Sequence, residues 1–417
     1  MRRSQHGADT ARSIGVLLAI AAGVMAAVGL TAPSGARPDT ATGAGLRGFA
    51  SQRELDEFTS KMIEADRRQP VFENFSPPMA LSVQEAEAPA ADASANPAAP
   101  ENITNTQEVG VDEGGIVKQA GDYLVVLRRG RLFTIRIGGD ALAPASMIDA
   151  FPPGKIDPGG TWYDEMLVSG RQIIVIGYSY GGLGTEINRF AIGADGALTY
   201  RDTHYLRSGD YYSSSNYASR LIEDELVVYA PVPAYWQALD RTLPAITGRD
   251  PGSTPKPLVK PQDFLVAEPY RDGRWPLDVL HTVTRCKLTA EDLDCRATAI
   301  AGTWSHAFYV ARDAVYVWTG EAEDHSGSVR RAAPGQLYRI PLGGRTAGAV
   351  QVSGAPVDQF AFAEDAEAGV LQVLLRGEGG GEGMFASEVS GGSVALASVP
   401  FASFGSGAGV LPRARYR

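Results

Sequence analysis

The chain has 417 residues and a formal net charge of −10, with its lysines and arginines scattered rather than clustered. A nucleic-acid binder presents a basic stripe, and none is present, so nucleic acid is excluded as a partner. Forty-eight glycines and sixteen tyrosines against seven methionines suit many short strands and turns better than long helices.

At the N-terminus, Arg2, Arg3 and Arg12 precede an uncharged run over 14–30 and then Ser34-Gly35-Ala36. A basic region, an apolar region and an A-x-A-like site describe a secretory signal. The apolar run sits at the lower limit for a membrane-spanning helix, so an uncleaved anchor is the competing reading of residues 1–36. Either way the body of the protein is expected outside the cytoplasm, secreted or held to the membrane by residues 14–30 alone. Residues 37–100 divide into a short helix and a linker. Over 51–68, Ser51 and Glu54 form a capping box, Leu55, Phe58 and Met62 share one face, and Pro70 stops the run. One amphipathic helix this short needs a surface, so it is expected to dock on the main domain. Residues 83–101 turn to Ala, Pro, Glu and Asp, the composition of an exposed, disordered linker.

The domain proper is read from 101 to 417. Residues 104–137, TNTQEVGVDEGGIVKQAGDYLVVLRRGRLFTIRI, run from a polar acidic segment through Gly114-Gly115 into two apolar runs. The turn containing Gly130 between those runs is a hairpin signal. The phrase of a turn followed by an apolar strand recurs at 120–130, 169–179, 222–232, 311–321 and 366–376. The Pro-rich segment 231–276, in the longest interval, reads as an insertion rather than as strands. A period of about 50 residues with three or four strands per unit fits the blades of a β-propeller. Each twisted sheet has two apolar faces, which only neighbouring sheets around an axis can cover, and no helical pattern alternates with the strands as an α/β fold requires. Residues 401–417 stop where a new repeat should begin, so an incomplete propeller is expected, with a simple tail as the alternative.

The opening phrase resembles that of a family of predicted secreted proteins with a C-terminal β-propeller distantly related to WD40 repeats. Thr104, Asn105, Gln107, Gly110, Val111, Asp112, Glu113, Ile116, Val117, Lys118 and Gly121 match the family phrase, and Phe49, Ser51, Glu54 and Leu55 echo its upstream helix. The resemblance implies a propeller, an extracytoplasmic location and further blades, and no settled activity. Gly115 and Ala120 stand where the family tends to have acidic residues, so a cation or cap served by those carboxylates is not implied here.

Candidate chemistry is sparse. Cys286 and Cys295, in a hairpin-like stretch, are expected to form one disulfide worth about 2–3 kcal/mol. Zinc is a poor alternative, since no histidine stands at ligand spacing. Gly177-Tyr178-Ser179-Tyr180-Gly181 is a G-x-S-x-G after a strand, but a loop and a strand follow where a nucleophile elbow needs a helix, so it reads as a hairpin loop. His204, His281, His306 and His325 pair with no acid at a useful spacing. Asp112 and Glu113 with Lys118 read as structural, capping a turn, because calcium wants six to eight oxygens and no D-x-D-x-D-G run is present. Glu364-Asp365-Ala366-Glu367 reads as a solvated turn. No cofactor or metal is expected. The run 205–217, with Tyr205, Tyr211, Tyr212 and Tyr217, and Trp236 and Trp275 in the insertion, is a candidate surface for sugars or peptides. The expected function is therefore a binding or scaffold module for a protein or glycan partner. The competing class is a secreted hydrolase or lyase with its site at the central channel.

Overall fold

The computed structural model describes residues 45–67, 106–209, 218–320, 333–376 and 394–417, less 140–141, 155–157, 182, 249, 251, 276, 290–292 and 357. The expected signal segment (1–36), the expected linker (83–101), and Tyr211, Tyr212, Tyr217 and His325 lie outside the described residues.

The strands form five sheets, each built on antiparallel neighbours that follow one another in the chain. Blade 1 holds Val117–Ala120, Tyr123–Arg128, Arg131–Arg136 and Ala143–Asp149. Its central hairpin closes through Arg129 and Gly130, both at positive φ (51° and 69°), as a two-residue turn matched to strand twist requires. Blade 2 holds Thr161–Ser169, Gln172–Ser179, Gly184–Ile192 and Leu198–Leu206. Blade 3 holds Ala218–Ile222, Glu225–Pro233, Val279–Leu288 and Leu293–Gly302. Blade 4 holds Ser305–Val310, Ala314–Thr319, Gln336–Pro341 and Gly348–Gln351. Blade 5 begins with the short pieces Ala355–Pro356 and Phe362–Asp365, both paired to Val370–Arg376, and continues with Val394–Pro400. The recurring phrase in the sequence is the second strand of each blade.

Four cores lie between successive blades, and so the fold is a stack of sheets around an axis. Tyr123, Val125 and Leu132 of blade 1 meet Met166, Ile173 and Phe190 of blade 2. Ile174 and Ile187 on the other face of blade 2 meet Leu226, Val228 and Cys286 of blade 3. Tyr229 and Leu280 of blade 3 meet Phe308, Val315 and Tyr338 of blade 4. Tyr316 and Trp318 of blade 4 meet Leu371, Val373 and Val399 of blade 5. No core among the described residues joins blade 5 to blade 1.

The helix Gln52–Arg67 docks as its pattern predicts. Glu54 N donates to Ser51 Oγ at 3.3 Å, and the Glu54 carboxylate accepts from Ala50 N at 2.7 Å. Buried Leu55, Phe58 and Met62 face Phe49, Trp236 and Phe264. The platform for the helix is the Pro-rich segment, which is not purely an insertion. Ala245–Thr247 and Lys256–Pro257 extend blade 2 outward, and Phe264–Val266 runs parallel to the last strand of blade 3. Periodicity misses them because strands of two or three residues carry too little pattern.

Residues 401–417 are not a loose tail but pair and pack against blades 4 and 5. Ser406–Val410 pairs parallel to Gly348–Gln351 on blade 4, and Leu396 and Arg417 exchange backbone hydrogen bonds on blade 5. Buried Phe404 and Leu411 anchor the strap in the core between those blades.

Candidate functional site

The polar motif at 107–118 crosses the inner edges of all five blades. Asp112–Glu113 pairs antiparallel to Ala218–Ile222, the innermost strand of blade 3. Gly115 then exchanges two backbone hydrogen bonds with Met166 of blade 2, and the chain enters blade 1 at Val117. In the other direction, Glu108 accepts from the Tyr309 hydroxyl of blade 4 at 2.5 Å. The Gln107 side-chain amide donates to Gln359 O of blade 5 at 2.7 Å. At Gly114 the chain passes close to the Glu165 carboxyl group, which would have to move aside for a Cβ, 2.9 Å away from it.

One buried ion pair organises the crossing. Lys118, 1% exposed, holds its Nζ 2.6 Å from Asp112 Oδ1 and 2.5 Å from Glu113 O. Burial raises the Asp112 carboxyl above its ordinary pKa, and the Lys118 ammonium pulls it back only in part. Glu113 lies 3.7 Å from Arg220 Nε, and Arg220 reaches the Gln359 side chain at 3.5 Å. Ser219 donates to Glu165. The carboxylates at the axis therefore hold the strap to the blades, and Lys118 ties Asp112 to the Glu113 carbonyl within it. Among the described residues no group of His, Cys, Asp or Glu is arranged to hold a metal ion.

The histidines lie elsewhere. His281 is fully buried between blades 3 and 4, with Nδ1 3.1 Å from the Tyr229 hydroxyl and Nε2 2.8 Å from Thr303 O. Burial there pushes its pKa down to about 4, despite the opposing Thr303 carbonyl. His204 sits on the fourth strand of blade 2, its Nε2 3.2 Å from Asp202. Ser179 ends a strand paired with Gly184, so the G-x-S-x-G stretch is a hairpin as expected. Glu364 corrects the reading of 364–367 as a solvated turn: it accepts from Tyr316 across the blade 4–5 core, and burial raises its carboxyl despite Tyr316 and Arg339.

The expected aromatic ligand surface is also corrected in part. Tyr205 is buried on the last strand of blade 2. Trp236 is a core residue under the docked helix, its indole N–H donating to Leu277 O at 2.8 Å. Trp275 is half-buried against the same core. Composition alone cannot tell a tyrosine or tryptophan that fills an inter-blade core from one that faces solvent.

One set of the exposed apolar groups lies where the innermost strands begin. Ile116 is 55% exposed, Trp162 53%, Trp304 45% and Phe360 66%, one each in blades 1, 2, 4 and 5. Val109 on the strap is 82% exposed. Tyr180 and Tyr235, just beyond the second strands of blades 2 and 3, are exposed at the same end of the sheets. Aligning the repeats on their first strands, rather than on the apolar second strands, is the signal that finds this set.

A family model described as a beta propeller domain matches residues 102–391, more than half of the chain. No curated protein matches it.

Proposed function

The chain belongs to the beta propeller domain family, and from that premise we propose that it is an extracytoplasmic binding module whose partner surface is the apolar mouth of the propeller. The observation that carries this reading is the set Ile116, Trp162, Trp304 and Phe360, exposed at the starts of the innermost strands around the strap. Large apolar side chains exposed at one end of the blades mark an interaction site, and tryptophans carry much of the binding energy at such sites. The mixture of aliphatic and aromatic side chains favours apolar side chains of a protein partner over a sugar, which stacks on flat rings only. The disulfide Cys286–Cys295, between directly opposed residues of blade 3, suits an oxidising compartment. Among the described residues no helix is long and apolar enough to cross a membrane.

A hydrolase or lyase at the axis is the less favoured class. The carboxylates there are engaged by Tyr309, Arg220, Ser219 and Lys118, and the groups holding His281 are the Tyr229 hydroxyl and the Thr303 carbonyl.

Selection of a peptide library on the wild-type protein tests the binding reading. Apolar peptides are expected to be enriched, and the variant W162A/W304A is expected to bind them at least about tenfold more weakly. Equal affinity for both proteins overturns the reading. So does binding to a glycan array that depends on the same tryptophans when no peptide is enriched. Fusing residues 1–44 to a reporter enzyme that folds only in an oxidising compartment tests the location, and a silent reporter removes it.

A further inference from the structure

At the end of blade 2 away from the apolar mouth, a cleft of about 390 Å³ is lined by Arg171, Gln172, Arg189, Thr199 and Arg201 among others. Three arginines lining one cleft are unexpected on a chain of net charge −10. Arg189 is nearly fully buried and is held on two sides. It donates to Asp202 from Nε at 2.7 Å and to Thr289 O of blade 3 from Nη1 at 2.7 Å. Burial by itself raises the Asp202 carboxyl, but hydrogen bonds from His204 and Arg189 outweigh it and lower its pKa to about 2. Asp202 is therefore an anion and neutralises one of the three cations.

The other two cations are placed by the backbone. Arg171 follows the turn at Gly170 (φ 55°), and its carbonyl accepts from Ile192 N at 3.0 Å, which fixes the Arg171 backbone beside the end of the third strand. Arg201 is the extra residue of a β-bulge: Arg189 pairs with Asp202 and Phe190 with Tyr200, so Arg201 has no partner in the ladder. A bulge re-aims the side chain it carries. Arg171 and Arg201 are exposed, and neither is paired with a carboxylate among the described residues. Nearby Asp195 is engaged with Ala197 N at 3.1 Å.

We infer that this cleft is an anion site, and that Arg171 and Arg201 bind a tetrahedral oxyanion, phosphate or sulfate, carried on a small molecule. The planar guanidinium presents two parallel N–H donors to such an anion, and two arginines lining one cleft from different strands offer more than one such pair. Gln172 and Thr199 line the same cleft, and an amide and a hydroxyl are neutral donors for the same anion. Buried Arg189, locked by Asp202 and Thr289, fixes the wall of the cleft, and its own charge is offset by Asp202. Because the cleft lies at the opposite end of the sheets from Trp162 and Trp304, the site stands independently of the binding mouth.

Calorimetric titration of the full chain with inorganic phosphate, inorganic sulfate and acetate, at constant ionic strength, tests the site. Saturable binding of phosphate or sulfate is expected in the millimolar range or tighter, with acetate weaker. Preference between the two tetrahedral ions identifies the group the natural ligand carries. The variant R171A/R201A is expected to lose at least about tenfold in affinity, whereas R128A, an exposed arginine on a blade 1 turn, retains wild-type affinity. Thermal melting of both variants checks that they are folded. Absence of saturation with either tetrahedral ion overturns the inference, as does unchanged affinity in folded R171A/R201A.

Discussion

Blades 2 to 4 and blades 1 and 5 are made from the same kinds of residue and end in different environments. In the second strand of blade 4, AVYVWT, every residue is buried. In the second strand of blade 1, YLVVLR, buried residues alternate with half-buried ones, and blade 5 repeats that alternation in VLQVLLR. An apolar run marks a strand, but the number of covered faces depends on the sheets placed beside it. A central blade is sandwiched, whereas blades 1 and 5 each present one face that no core among the described residues covers.

This contrast predicts a ranking of stabilities in urea unfolding. The largest effect is expected for Trp318→Ala on blade 4, which empties the blade 4–5 core and strands the Gly354 carbonyl that the indole N–H holds at 3.0 Å. A loss of about 4 kcal/mol is expected for so large a cavity, and a loss below about 1 kcal/mol would break the distinction between sandwiched and half-covered blades.

Lys118→Met comes next. It leaves the buried Asp112 carboxylate without its ammonium, at a cost of about 3 kcal/mol. The double variant Lys118→Met/Asp112→Leu is expected to regain most of that, because an apolar pair needs no charge compensation. Failure to regain it would mean that the strap depends on the pair for geometry and not only for charge balance.

His281 sharpens the comparison through pH. Its folded pKa of about 4 lies below the unfolded value of 6.5, so the unfolded chain takes up the proton first as the solution is acidified. The stability contributed is complete above pH 6.5 and is lost as the pH falls toward 4, about 3 kcal/mol in all. His281→Gln is expected to flatten that part of the pH–stability curve, and an unchanged slope would remove the histidine as its cause. The smallest effect is expected for Leu374→Ala on the open face of blade 5, less than about 1 kcal/mol, because its side chain is already 43% exposed.

Much of the architecture was legible because it rests on local chemistry. The five second strands are long β-branched and aromatic runs between turn residues, and all five occur where the sequence places them. The helix was legible from its cap and its single apolar face, and the disulfide from two cysteines across a hairpin. The candidate site was legible only in part. Asp112, Glu113 and Lys118 stand close together in the chain, but Arg220, Tyr309 and Gln359 reach them from blades 3, 4 and 5. Tyr205 and Trp236 were misplaced at the surface because an aromatic ring fills a core and lines a binding face equally well.

The sequence by itself determined that the chain builds repeated antiparallel sheets, that a polar motif precedes the first of them, and that one helix needs a platform. Those features depend on turn chemistry, side-chain period and capping, all set within a few residues. Only the tertiary structure decided which faces are covered, which aromatics reach solvent, where residues 401–417 pair, and which arginines line one cleft. Those outcomes depend on contacts between residues far apart in the chain, for which no local pattern in a single sequence carries the distance.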